Sequence, residues 1–364
     1  MINLVLYRKY RPQKFSEVIG QEHVIKTLTS ALKSGKVAHA YLFAGPRGTG
    51  KTTVARLLAK AVNCLDDSSY EPCNKCESCL DIMNGRAMDL IEIDAASNRG
   101  IDEIRELRER VRFTPSRGKY KVFVIDEAHQ LTKEAFNALL KTLEEPPAHA
   151  IFILATTEPY RMLPTILSRV QRFDFRKFSL ADIVKRLEMI AKKEGIRVEE
   201  KALRIIALNS EGHMRDAESM FGQVIAFSGD KEIEVEDIEN ILGIVDINLA
   251  IKFIDLISNK NTVEALSFID KFVNQGYDLV QFVESLINYS RKLLLVRVSK
   301  DLSRIIKEEL SAEQLNTALK QSEKFSLEEI SGMIEIFIEA LYKMKHSTFP
   351  QIDIELAVVG ICGK

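Results

Sequence analysis

The run Gly45-Pro46-Arg47-Gly48-Thr49-Gly50-Lys51-Thr52 constrains this chain more than any other feature, because it meets G-x-x-x-x-G-K-[ST] at every fixed position. Glycines let the backbone bend around a phosphate and aim successive N–H groups at it. The N-terminus of the next helix adds partial positive charge toward the same anion. An apolar strand candidate, His39–Ala44, runs into the loop, and a helical pattern, Thr52–Val62, leaves it. Lys51 is placed to reach the β- and γ-phosphates of ATP, and the Thr52 hydroxyl to hold Mg²⁺. The alternative, an ordinary glycine-rich turn, needs neither flank.

A phosphate loop requires an acidic site about one strand away, and Val122-Phe123-Val124-Ile125-Asp126-Glu127 supplies one. Asp126, at the C-terminal end of an apolar strand, is expected to bind Mg²⁺ directly or through water. Glu127 is expected to polarise the attacking water as general base. Two such acids can instead cap a following helix, but the loop upstream favours the catalytic reading.

The strand candidates are His39–Ala44, Leu90–Asp94, Lys121–Asp126, Ile151–Thr156 and Arg172–Phe175, with helical patterns between most of them. That alternation predicts an α/β fold with a parallel sheet covered on both faces. After Phe178 the strands stop. Ser179 is a candidate N-cap for a helix to about Lys193, followed by helices near Glu199–Asn209, His213–Phe227 and Glu236–Leu242. Ser228-Gly229-Asp230 interrupts this series. From Gly243 onward apolar residues recur at three- and four-residue intervals, as in Leu249–Leu256, Val263–Val273, Leu279–Leu295 and Ile330–Met344. The expected division is therefore 1–178, 179–243 and 244–364. A chain of 364 residues is long enough for two or three domains.

With 46% hydrophobic and 28% charged residues the composition is that of a globular protein. No apolar run approaches the ~18 residues of a membrane span. The N-terminus lacks a signal-peptide pattern, so a cytoplasmic chain with no membrane partner is expected. The net charge of −1 excludes a broadly basic nucleic-acid coat but not a local patch such as Arg8, Lys9, Arg11 and Lys14.

Four of the five cysteines fall in Cys64-x8-Cys73-x2-Cys76-x2-Cys79. In a cytosolic chain such clustering points to metal rather than disulfides. Four thiolates suit a closed tetrahedral Zn²⁺ site, which leaves no open position for catalysis. An iron–sulfur cluster is the rival, but the position where a ferredoxin motif places its next cysteine is Met83.

Longer stretches narrow the class. Tyr10-Arg11-Pro12 with Phe15, Ile19-Gly20-Gln21-Glu22-His23, Phe136 through Pro147 and Ala155-Thr156-Thr157 accompany the loop and its acids. With these the chain resembles, over nearly its whole length, the gamma/tau family of bacterial DNA polymerase III clamp-loader subunits, within the AAA+ ATPases. The resemblance implies an AAA+ sheet with an inserted zinc module after the loop helix, a small helical lid and an all-helical collar. It implies nucleotide contacts from Tyr10, Arg11, Ile19 and Thr53, and a γ-phosphate sensor at Thr157. The family's Ser-Arg-Cys motif stands here as Ser168-Arg169-Val170, without its cysteine. Arg169 matches the arginine finger that reaches a neighbouring subunit's ATP; a structural surface arginine is the alternative. Arg215 matches a second sensor on the lid, against an ion pair with Glu218 or Glu211.

The implied function is an ATP-hydrolysing motor that opens a sliding clamp and loads it on primed DNA. The implied partners are delta- and delta-prime-type subunits and further copies of this chain, joined through the collar. A non-hydrolysing delta-prime-type subunit would carry a degenerate loop, unlike Gly50-Lys51-Thr52 here. A branch-migration helicase usually adds a DNA-reading domain, and the C-terminal helices show no basic recognition helix.

Overall fold

A computed structural model describes residues 5–363 except 67, 229–231, 244–245, 303–305 and 307–308. Strands β1 (Ala40–Ala44), β2 (Leu90–Asp94), β3 (Lys121–Asp126), β4 (Ala150–Thr156) and β5 (Gln171–Asp174) form one sheet in the order β2-β3-β4-β1-β5. Every neighbouring pair is parallel. Each expected strand is present to within a residue. The last is displaced by one: Phe175 leaves the strand, although its N–H still bonds to Ala44 O at 2.7 Å.

Successive side chains alternate between the two faces, as strand geometry requires. Leu42, Phe123, Ile125, Phe152 and Leu154 point to one side, under the helices Ile101–Val111 and Lys133–Glu144. Tyr41, Phe43, Val122, Val124 and Ile153 point to the other, where the helix Lys51–Val62 packs through Val54, Leu57 and Leu58. Because both faces are covered there, β1, β4 and the middle of β3 are continuously buried and almost wholly apolar rather than alternating. Each large side chain so buried stabilises the sheet by about 1.5–3 kcal/mol.

By contact the chain divides into two compact units, Met1–Gly222 and Gln223–Lys364. The line between them falls inside the helix Met214–Ser228. In the first unit, Ser179 caps the helix Leu180–Glu194 with a full capping box, accepting from Asp182 N at 3.1 Å. Gly229 and Asp230, read as a break, lie outside the described residues. The second unit is helical. Its core holds Phe253, Phe272, Phe282, Tyr289 and Phe337, drawn mainly from Ile247–Ser258, Thr262–Asn274, Leu279–Val298 and Leu327–Met344. Among the described residues no helix is long and apolar enough to cross a membrane.

Candidate nucleotide and metal sites

Strand order brings the chemistry together. β4 lies between β1 and β3, so the loop leaving β1, the acids ending β3 and the threonines ending β4 share one edge of the sheet. Gly45 N donates to Thr156 O at 3.1 Å, extending the ladder one step before the chain turns away. Gly45 has φ 149°, and a Cβ there would sit 2.4 Å from Phe175 O, so only glycine fits. Gly50, at φ 96°, turns the loop directly into the helix Lys51–Val62.

Lys51 folds back over the loop, donating to Gly45 O at 2.7 Å and Pro46 O at 2.8 Å. Burial pulls its ammonium below the usual lysine range, while Glu127 and Asp126 oppose that shift. The Thr52 hydroxyl donates to Asp126 Oδ2 at 2.8 Å, so a hydroxyl and a carboxylate already converge where a divalent ion could be held. Glu127 adopts φ 47°, and its Oε2 accepts from the Thr157 hydroxyl at 2.9 Å. Sequence reasoning missed His129. This buried ring places Nδ1 3.0 Å from Thr156 Oγ1 and 3.5 Å from Glu127 Oε2, and Nε2 3.2 Å from Glu158 Oε1.

A cavity of about 280 Å³ opens beside the loop. Its lining includes Arg47 through Thr53, Asp126 and Glu127, and also Arg11, Pro12, Val18 and Ile19 from the N-terminal segment. Arg215 lines it too, its guanidinium 4.7 Å from the centre of the Tyr7 ring. Glu218, a possible partner for Arg215, is instead engaged by Arg186 at 2.7 Å. Burial raises the Glu218 carboxyl above the usual range despite Arg186.

Tyr10, expected as a nucleotide contact, stands apart from the other residues of that group. It does not line the cavity; its hydroxyl donates to Glu194 Oε1 at 2.8 Å, and Tyr7 and Arg8 stand at the wall instead. Tyr7 and Arg8 belong to the helix Leu6–Lys9, whereas Tyr10 is the residue that ends it. Arg169 does not line its own chain's cavity either. It follows the short helix Pro164–Leu167, bonds to Thr165 O at 2.7 Å and pairs with Glu144 at 2.6 Å, with its side chain about a third exposed at 32%.

The four cysteines come together as a second site. Their sulfurs all lie within 4.8 Å of one another, with Cys79–Cys64 at 3.8 Å and Cys73–Cys79 at 4.0 Å. A tetrahedron with 2.3 Å metal–sulfur bonds has edges of about 3.8 Å. The set therefore fits one ion; a multi-iron cluster would have to stand between the sulfurs. Asn74, at φ 58°, turns the chain so that Lys75 N and Cys76 N donate to Cys73 Sγ at 3.4 and 3.2 Å. Those bonds lower the Cys73 thiol to about 6, whereas burial raises Cys64 and Cys79.

Three family models match in succession. They are "DNA polymerase III, delta subunit" over residues 20–179, "DNA polymerase III clamp loader subunit, ATPase lid domain" over 182–230, and "DNA polymerase III subunits gamma and tau domain III" over 233–363. The tau subunit of DNA polymerase III from Bacillus subtilis is 47% identical over 357 residues, covering 98% of this chain and 63% of that protein. Its counterpart from Escherichia coli is 41% identical over 295 residues, covering 81% and 46%. The chain thus spans less than two thirds of the length of these relatives. Among solved structures, a variant of Thermotoga maritima RuvB is 21% identical with a TM-score of 0.50, covering 68% of this chain and 78% of that one; this likeness concerns the fold.

Proposed function

The chain belongs to the gamma/tau family of bacterial DNA polymerase III subunits, and from that premise we propose that it is an ATP-hydrolysing motor subunit of the clamp loader within the holoenzyme. The observation that carries this reading is the convergence of Lys51, the Thr52–Asp126 pair and the Thr157–Glu127 pair at one sheet edge beside a cavity. In this reading the loop N–H groups and Lys51 bind the phosphates of ATP. Thr52 and Asp126 hold Mg²⁺, which offsets phosphate charge when bound. Glu127 takes the proton of the attacking water, and Thr157 orients Glu127 and senses the γ-phosphate. Arg215 touches the phosphates from the lid, while Arg11, Ile19 and Thr53 contact the nucleotide. Cys64, Cys73, Cys76 and Cys79 hold a structural zinc.

The proposed organisation is an ATPase part at 1–178, a lid at 179–243 and a collar at 244–364 through which copies and delta-type relatives assemble. Binding of ATP then opens a sliding clamp, and primed DNA triggers hydrolysis, in the bacterial cytoplasm. A non-hydrolysing role is disfavoured because no element of the phosphate site is degenerate. The test is ATP binding and ATPase rate with and without sliding clamp, partner subunits and primed DNA. The parent is expected to bind ATP and to be stimulated by the full set, and Lys51→Ala to lose tight binding. Equal binding by Lys51→Ala would sink the assignment.

A further inference from the structure

The segment from Arg11 to Ile19 forms one wall of the cavity, yet its only regular element is the single turn Phe15–Glu17. It belongs to no strand, so other groups must hold it. Its partners on one flank come from the cysteine insertion. The carboxylate of Glu71 accepts from Phe15 N through Oε2 at 2.8 Å and from Ser16 N through Oε1 at 3.0 Å. Lys60, on the helix that follows the phosphate loop, is 2% exposed. It donates to Gln13 Oε1 at 2.8 Å and to Asn74 Oδ1 at 2.5 Å, joining the wall to the turn between Cys73 and Cys76. On the other flank Arg186 donates to Tyr10 O, and Lys9 and Tyr10 bond to Glu194.

We propose that the four-cysteine insertion anchors the nucleotide wall, with Glu71 as the positioning residue that carries metal occupancy to nucleotide affinity. This rests on reading the cavity as the ATP site. Among the described residues, the insertion between Cys64 and Cys76 has no helix or strand of its own. The four sulfurs, the last of them Cys79 on the helix Glu77–Met83, are the cross-links that a metal would lock. Glu71 lies two residues before Cys73, so its carboxylate keeps its place only while that sulfur does. Once it moves, two backbone N–H groups of the wall lose a charged acceptor, and Arg11, Pro12, Val18 and Ile19 lose their fixed position. Coupling of this kind is reciprocal: ATP must strengthen metal retention by the factor by which metal strengthens ATP binding.

The experiment uses the full chain as parent, Glu71→Gln and Glu71→Ala. It reads zinc content by elemental analysis, the ATP dissociation constant by calorimetry, and amide exchange over residues 13–19. Glu71→Ala is expected to keep its zinc, weaken ATP binding roughly tenfold and speed exchange at Phe15 and Ser16. Tenfold is the factor of about one charge-assisted hydrogen bond. The ATPase rate at saturating ATP should stay at the parental value. Glu71→Gln, which keeps one accepting oxygen and the shape, should fall between. Stripping zinc from the parent should cause a similar loss of affinity, and stripping Glu71→Ala should add little, because both act on one link. Parental ATP affinity in folded Glu71→Ala overturns the anchor, as does lost affinity without faster exchange at Phe15 and Ser16. A parent that binds no ATP at all overturns the reading of the cavity instead.

Discussion

Glu127 holds a backbone conformation, φ 47° and ψ 44°, that costs a residue with a Cβ roughly 1–2 kcal/mol. Strain of that kind persists where surrounding contacts over-determine it. Here the Glu127 N–H bonds to its neighbour Asp126 Oδ1 at 2.9 Å, and its carboxylate accepts from Thr157. The turn aims Asp126 toward Thr52 and Glu127 toward the end of β4, so two adjacent acids acquire separate tasks. Glu127→Gln tests that separation. The amide oxygen can still accept from Thr157, which preserves the turn, but an amide cannot take a proton. ATP binding should match the parent while phosphate release falls roughly 10²–10⁴-fold, the usual weight of a general base. Full turnover in Glu127→Gln would move the base elsewhere, and His129 would be the nearest candidate to examine.

At the scale of elements, the cysteine insertion invites the most direct test. Cys73→Ser removes the sulfur that receives two backbone N–H bonds and should release the metal. The segment 64–79 should then become protease-sensitive, while the helical second unit, with its own core, stays folded. The parent should carry about one zinc per chain by the four-ligand rule; iron with visible absorption would contradict zinc. The gathering of these four cysteines was legible in the sequence because their spacing is that of a ligand set. The sheet was legible too: runs such as Val122–Ile125 are apolar without alternation, which only a strand buried on both faces requires. Other features were not. The helix Pro350–Cys362 buries Ile354 and Val358 but exposes Leu356 at 65% and Val359 at 48%, so its apolar residues mark no single face. Nor could spacing reveal that Asp89 accepts from Ser116, Arg117 and Gly118, or that Glu71 reaches Phe15, since both depend on how distant segments meet. Nor does the motif itself show that Tyr7 lines the cavity while the Tyr10 hydroxyl bonds to Glu194.

For the whole molecule, the decisive matter is whether one chain suffices for hydrolysis. The cavity gathers the Gly45–Thr52 loop, the Thr52–Asp126 pair and Glu127, but Arg169 does not line it and pairs instead with Glu144 on the same chain. That pair is partly exposed, its side chains 32% and 47% accessible, and solvent-screened pairs contribute under about 1 kcal/mol, so it gives little structural reason for the arginine. If Arg169 is a finger acting on a neighbouring subunit, the isolated chain should bind ATP yet hydrolyse it slowly, and the rate should rise with assembly. Arg169→Ala should then lower hydrolysis by roughly 10³-fold or more, with a modest change in ATP affinity. Glu144→Gln separates the two roles: it removes the ion pair and leaves the finger, so it should retain activity. The stronger test mixes variants. Arg169→Ala chains keep an intact phosphate loop, and Lys51→Ala chains keep an intact Arg169. When the two co-assemble, some interfaces pair a working loop with a working arginine, and hydrolysis should return. If co-assembled mixtures stay inactive, or if Glu144→Gln reproduces the loss, Arg169 serves its own chain and hydrolysis across an interface fails as an account of this protein.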